Sequence, residues 1–344
     1  MLSFTNFHRF NSIVSFILLI SNFYKSFYSV KVLFVSSGNS VFGISPITLN
    51  QGNSLIRCGV SVTYFPISGK GMLNYLKNII PLKKHLSVNY YDIIHAHYSK
   101  AAIVASFAGS KPLVVSLMGS DLKTAFLYKI AIVILNKISW NHTIVKSDKM
   151  RKSLIKANVS IIPNGVDTDA FHSLDKIDCQ NKLGWNLKKK HILFAAKPSR
   201  PEKNYNLAQQ ACELLTSEDI ELHSLIDVQP LQIPIWMNAA DIILLTSLWE
   251  GSPNVIKEAM ACNRPIVATD VGDIKWLFGD KQGHYLTEFS PEDVAEKIDL
   301  ALNFSANHSK TNGREQIFKL GLDSVTIAHI LMEVYHKCIK QKLV

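Results

Sequence analysis

A chain of 344 residues, 47% hydrophobic and 19% charged, is too long for one ordinary core and too apolar for disorder, so two domains are expected. Its five cysteines (Cys58, Cys179, Cys212, Cys262, Cys338) are scattered, with no C-x-x-C pair and no Cys/His cluster at metal-ligand spacing, which argues against a disulfide framework and for reduced thiols in a reducing compartment. The net charge of +10 is uneven: residues 1–163 carry 18 basic and 3 acidic side chains, whereas the remainder nets −5, so the first half either faces an anionic surface such as lipid headgroups or carries lysines on solvated faces.

In chain order, residues 1–29 form a leader whose apolar stretch, Phe10 to Tyr24, is interrupted by Asn11, Ser12, Ser15, Ser21 and Asn22. It is too short and too polar for a membrane span of about 20 residues, and it shows no obvious signal-peptide cleavage site. Three readings stand for it: an interfacial anchor, a disordered leader, or a start placed upstream of the true one.

The folded part begins at Lys31, where VLFVSS is a short β-branched apolar run ending in small residues and Gly38, the form of a buried parallel strand entering a loop. Runs of the same kind at 61–67, 91–97, 112–119, 142–147 and 160–165 alternate with helical stretches, which predicts right-handed βαβ units and a parallel sheet. After Asn164-Gly165 the pattern restarts at 191–196, 221–226, 241–247 and 264–270, so a second doubly wound α/β domain follows. The expected division is 30–163, 164–322 and a last helix in 323–344 that crosses back to the first domain.

The most informative stretch is DIILLTSLWEGSPNVIKEAMACNRPIVATDVGD, residues 241 to 273. It predicts a strand, a loop with Gly251, Ser252 as helix N-cap, Pro253 at the first helical position, a helix through Asn254 and Val255 to about Cys262, and another strand. N–H groups at that helix start suit a phosphate. Glu250 lies just before the helix and Glu258 six residues past the expected cap, about 9 Å along the axis. Two carboxylates so spaced can hold hydroxyls on the two sides of a diphosphate, the layout of a sugar nucleotide; two glutamates on the solvent face of an ordinary helix would look the same.

Glu250-x7-Glu258 within EGSPNVIKEAMACNRPIVATDVG resembles the E-x7-E signature of the family 4 retaining glycosyltransferases of GT-B fold, two Rossmann-like domains facing a cleft. The resemblance extends from about residue 30 to the end. IPNGVDTDAF (162–171) is similar to the hinge motif entering the second domain, and HILFAAKPSRPEKN (191–204) to the strand and loop whose Arg and Lys grip the donor diphosphate. Those roles are implied for Arg200 and Lys203, with Lys197 competing for the arginine position. The resemblance implies that Glu258 binds ribose hydroxyls, that Glu250 binds hydroxyls of the transferred sugar, and that the Ser252–Val255 backbone meets phosphate or sugar. It also implies that Gly38, with Gly43, stands in the glycine-rich first loop, and that DIIHAHY and GSDL bring His97, Met118 and Asp121 to the acceptor side. Two features depart from the family pattern: Met118 stands where a histidine is usual, and the stretch between Lys203 and Glu250 is short, with IDVQP in place of a glycine-containing strand end.

Metal chemistry finds little support. Asp167-Thr168-Asp169 is formally a D-x-D but lies in the hinge motif, where a capped turn is the plainer reading, and the 12 histidines show no H-x3-H or H-E-x-x-H spacing. His95 and His97 alternate at a strand end, so only one of them is expected to face the cleft. Met72 to Leu86 combines apolar residues with Lys77, Lys83 and Lys84, which fits either an anionic membrane or a core-packed helix with a basic outer face. The basic residues are not interleaved with stacking aromatics, so nucleic acid is not an expected partner.

The expected function is therefore metal-independent, retaining transfer of a sugar from a nucleotide diphosphate donor to a glycan or lipid-linked acceptor, on the cytoplasmic side and in peripheral contact with the inner face of the membrane, without a cofactor. A nucleotide-sugar epimerase and a non-catalytic sugar-nucleotide-binding subunit are the alternatives.

Overall fold

The structure, a computed structural model, describes residues 29–119, 126–152, 154, 158–216, 219–308 and 310–342. The leader reading for residues 1–28 lies outside these residues.

Six strands form the first sheet: β1 (Lys31–Ser37), β2 (Ser61–Ile67), β3 (Ile93–His97), β4 (Leu113–Ser116), β5 (His142–Val145) and β6 (Val159–Ile161), in the order β2-β1-β3-β4-β5-β6. Five form the second: β7 (Lys190–Phe194), β8 (Ile220–Ser224), β9 (Ile242–Leu245), β10 (Ile266–Thr269) and β11 (His284–Thr287), in the order β11-β10-β9-β7-β8. Every pairing is parallel. Parallel strands need crossover helices, which cover both faces and bury the inner strands on both sides. The apolar runs therefore show no alternation in composition, yet neighbouring residues still serve different cores. Val32 and Phe34 of β1 point into the cluster that also takes Ile93, Val114 and Ile144, while Leu33 and Val35 join Ile94, Val115 and Val145 on the opposite face. The same division separates Leu193, Ile243 and Leu245 from Ile192, Phe194 and Leu244 in the second sheet.

Helix Ser324–Lys342 returns to the first unit and packs on helix Pro46–Arg57 and on β3. Its Ile327, Ala328, Leu331, Val334, Tyr335 and Cys338 are buried in the cluster that contains Val32 and Ile93. At the helix entry, Val166 N donates to Leu322 O (2.9 Å) and Ser324 N to Val166 O (2.8 Å), so the segment after Asn164-Gly165 and the start of the last helix are tied together.

Two local expectations are corrected. The stretch Met72 to Leu86 is not one helix but two, Met72–Leu76 and Ile79–Val88, with Asn78 between them donating its side-chain amide to Ser68 O (3.0 Å) and Asn74 O (2.9 Å). And β11 was not expected: HYLT mixes polar and apolar residues because an edge strand, only partly buried, needs no continuous apolar run.

Candidate active site

The loop after β9 is fastened to the turn after β7 by three hydrogen bonds. Thr246 Oγ1 donates to the carbonyls of Lys203 (3.2 Å) and Asn204 (2.9 Å), and Leu248 N donates to Glu202 O (2.9 Å). These bonds bring the 3-10 turn Pro201–Lys203 against Glu250: Lys203 Nζ donates to Glu250 Oε1 at 2.5 Å, and Ser247 Oγ to the same oxygen at 2.8 Å. The two charged side chains retain 10% and 14% of their exposure, enough withdrawal from water to make the pair mutually dependent. Gly272 lies beneath this loop with φ +68°, where a Cβ would come within 2.6 Å of Gly251 O, so the V-G-D turn after β10 can support the Glu250-Gly251 backbone only as glycine.

Helix Asn254–Ala261 starts one residue later than expected. Pro253 is its N-cap, and no side chain caps it; the Ser252 hydroxyl instead accepts from Lys257 Nζ at 3.3 Å. Pro253 cannot donate an N–H, and its fixed φ suits the transition from loop to helix. Gly251 and Ser252 are partly exposed, Pro253 is buried, and Asn254 and Val255 are partly exposed. Glu258 is then five residues past the cap and partly buried. Burial pushes its carboxyl up to about 7, against the opposing pull of Lys257.

Lys257 was missed from the sequence. Its side chain is fully buried, and Nζ donates to Asn164 O at 2.6 Å, linking this helix to the segment that joins the two sheets. Burial lowers it to about 8, with Asp273 and Glu258 acting in the opposite direction. The signal available was its place in the helix beside Ile256 and three residues before Met260, both fully buried, which puts it on the inner arc.

On the first unit, His95 and His97 do not face opposite ways: their rings stack at 4.4 Å and 24°, and both are fully buried. Residues two apart on a strand share a face, and here it is the face of Ile93 and Phe34. His95 is spent on structure, with Nδ1 against Tyr335 Oη (2.6 Å) and Nε2 against Ser116 Oγ (2.8 Å). Neither ring nitrogen of His97 has a hydrogen-bond partner among the described residues, and burial together with Lys146 lowers it to about 3, so the ring is neutral. Lys146 is itself buried; its Nζ donates to Ile162 O (3.1 Å), and burial with Lys257 brings it down to about 7. Met118 is partly buried, its sulfur 3.9 Å from Asn164 Nδ2. Gly38, at the end of β1, donates its N–H to Ile67 O at 2.9 Å, and a Cβ there would press on Pro66 at 2.9 Å. Asp121 lies outside the described residues.

The remaining cations engage nearby acids. Arg200 pairs with Glu202 through Nε (2.8 Å) and Nη2 (2.6 Å), and Lys197 pairs with Asp227. Neither joins Glu250 as Lys203 does. Asp167 Oδ1 accepts from the N–H groups of Asp169 (3.0 Å) and Ala170 (3.2 Å), and Arg57 bonds both carboxylates at 2.8 and 2.9 Å, so the D-x-D is a capped turn tied to the end of helix Pro46–Arg57. Among the described residues, the one cluster with metal-ligand spacing is His191, Glu221 and His223, on β7 and β8.

Residues 30–170 match the family model described as Glycosyltransferase Family 4, and residues 189–303 that described as Glycosyl transferases group 1. TuaC of Bacillus subtilis, a proposed teichuronic acid biosynthesis glycosyltransferase, is 27% identical over 236 residues, 61% of each chain, so the match spans less than two thirds of that relative. A UDP-Gal:alpha-D-GlcNAc-diphosphoundecaprenol alpha-1,3-galactosyltransferase of Escherichia coli is 23% identical over 267 residues, covering 64% of this chain and 69% of that one. Among solved structures, Anabaena Alr3699/HepE in complex with UDP and glucose superposes with a TM-score of 0.67 over 90% of this chain and 100% of that chain, at 18% identity. Sucrose-phosphate synthase of Thermosynechococcus elongatus gives 0.72 over 91% and 100%, at 14%. At such identities the likeness speaks for the fold.

Proposed function

As the chain belongs to the family 4 glycosyltransferases of GT-B fold, we propose that it moves a hexose from a nucleotide diphosphate sugar to a glycan or lipid-linked acceptor, with retention of anomeric configuration, in cell-surface polysaccharide or glycolipid synthesis. The observation that carries the proposal is the Lys203–Glu250 pair beside the start of helix Asn254–Ala261, with Glu258 one and a half turns along it.

In this reading the diphosphate lies at the helix N-terminus, where Lys203 and the Ser252–Val255 backbone stabilise the charge that develops as the sugar–phosphate bond breaks. Lys203 turns an N–H from Glu250 to the phosphate, and Glu250 turns to the hydroxyls of the sugar. Arg200 or Lys197, released from Glu202 or Asp227, adds a second cation. Glu258 holds the ribose. Gly38 lets the first loop approach the donor, and His97, Met118 and Asp121 lie on the acceptor side. The acceptor attacks the face from which the diphosphate leaves, and the departing phosphate oxygen takes its proton, so no base is required at Met118. The cations and the helix terminus do the work a metal ion would otherwise do, and the reaction is metal-independent.

The lipid-linked acceptor is supported by the diphosphoundecaprenol in the name of the Escherichia coli relative. The reaction would then run on the cytoplasmic side, where nucleotide sugars are made, with the first unit resting on anionic lipid. Leu73 and Ile80 are 79% and 78% exposed beside the exposed Lys77, Lys83 and Lys84. Among the described residues no helix is long and apolar enough to cross a membrane. An epimerase is not favoured, since both family models describe glycosyltransferases and the Escherichia coli relative is a galactosyltransferase. The test is a panel of nucleotide sugars incubated with the protein alone: slow release of nucleoside diphosphate from one donor supports transfer chemistry, and an epimerised donor with no release refutes it.

A further inference from the structure

His191 and Glu221 stand opposite each other in the parallel register of β7 and β8, and His223 follows Glu221 by two residues, so all three side chains share one face of the sheet. Their ligand atoms converge. His191 Nδ1 is 2.9 Å from His223 Nε2 and 3.6 Å from Glu221 Oε2, and His223 Nε2 is 3.7 Å from that oxygen. We infer that His191, Glu221 and His223 bind a divalent transition metal, zinc above all, with the fourth position left to water.

The spacing fits the ion. Zinc bonds to nitrogen and oxygen of about 2.0–2.2 Å in a tetrahedron require ligand atoms about 3.3–3.6 Å apart, so only a slight widening of the two rings admits it. The tautomer fits as well. His191 Nε2 lies 3.0 Å from Asn186 O, and a carbonyl can only accept, so the ring proton is on Nε2 and the Nδ1 lone pair faces the cluster. A ring N–H donated to a backbone carbonyl is the usual outer-shell support of a metal-bound histidine. The strand beneath is fixed, since His191 N donates to Asp241 Oδ2 (2.7 Å) and Asp241 N to His191 O (2.8 Å). Trp185 stacks flat on His223 at 3.7 Å and 5°, which holds the second ring. Lys189 Nζ takes Glu221 Oε1 at 3.1 Å and leaves Oε2 for the ion.

His191 is the second residue of β7, while the loop carrying Lys197, Arg200 and Lys203 leaves the other end of that strand. The ion would therefore join the edge strand β8 to β7 and stabilise the sheet without entering sugar transfer.

The full untagged chain, stripped with a chelator and dialysed, is titrated with Zn²⁺ by calorimetry and with Co²⁺ by visible absorption. The expected result is one equivalent per chain, the ligand-field bands of four-coordinate Co²⁺, no thiolate-to-cobalt charge-transfer band from the five free cysteines, and a melting temperature raised by Zn²⁺. Glu221→Gln and His223→Gln, each verified as folded by circular dichroism, should weaken binding at least about tenfold and remove the thermal shift. Absence of a stoichiometric site, thiolate bands, or affinity unchanged in both variants would overturn the assignment and leave the two histidines as a simple hydrogen-bonded pair against Trp185.

Discussion

Lys203 and Glu250, 47 residues apart in the chain, form an ion pair at 2.5 Å that joins the turn after β7 to the loop after β9. Each is largely withdrawn from water, so removing one leaves the other charge poorly compensated. Lys203→Ala is expected to destabilise the protein by about 1.5–3 kcal/mol in urea denaturation. It should also weaken nucleoside diphosphate more than nucleoside monophosphate in calorimetry; equal losses would place Lys203 away from the second phosphate.

Glu258 sets stability against binding. Burial raises its carboxyl from 4.5 to about 7, so the folded state holds this proton more tightly than the unfolded state. The resulting stabilisation is complete below about pH 4.5 and is lost as pH rises through about 7. Glu258→Gln should therefore be more stable than the parent at pH 8, by up to about 3 kcal/mol, with the difference vanishing near pH 4. The same variant should bind the donor more weakly, because the ribose loses a charge-assisted hydrogen bond worth about 1.5–3 kcal/mol. A variant stabilised at high pH with unchanged donor affinity would assign Glu258 a place in the fold and none in the donor site.

The return of the last helix to the first unit depends on a buried contact. Tyr335 Oη meets His95 Nδ1 at 2.6 Å, with both residues fully buried. Tyr335→Phe leaves that nitrogen without its partner and should cost about 1–3 kcal/mol. A loss under about 0.5 kcal/mol in chemical denaturation would mean that a water or a ring rearrangement replaces the hydroxyl.

Docking of the basic first half on lipid predicts vesicle binding that rises with anionic lipid content and falls with salt. Leu73→Asp with Ile80→Asp should reduce it, since both side chains are exposed and apolar. Binding that ignores salt would exclude an electrostatic origin, and binding lost only on deleting residues 1–29 would assign it to the leader.

The inner strands were legible because parallel strands buried on both faces, such as β1, β9 and β10, must be continuous apolar runs. β11 escaped because an edge strand can be HYLT. The Glu250 loop was legible because glycine, proline and carboxylates in a fixed order constrain a loop chemically. Contacts between distant segments were not: the order of residues does not show that Lys257 Nζ reaches Asn164 O or that Lys197 meets Asp227. The expectation that His95 and His97 face opposite ways failed on strand geometry itself, since it applied to residues two apart a rule that holds for neighbours. The His191–Glu221–His223 cluster is invisible in the sequence because His191 lies 30 residues before Glu221 and the three converge only through the register of β7 and β8.

The most direct test of the account is the kcat/KM for nucleoside diphosphate release from the active donor in the parent, Glu250→Ala and Met118→Ala proteins, with the product anomer read by NMR. If Glu250 and the phosphate cradle carry the reaction, Glu250→Ala should lose more than about a hundredfold, Met118→Ala less than about tenfold, and the product should keep the donor's configuration. An inverted product, or a Met118→Ala loss as large as that of Glu250→Ala, would contradict it.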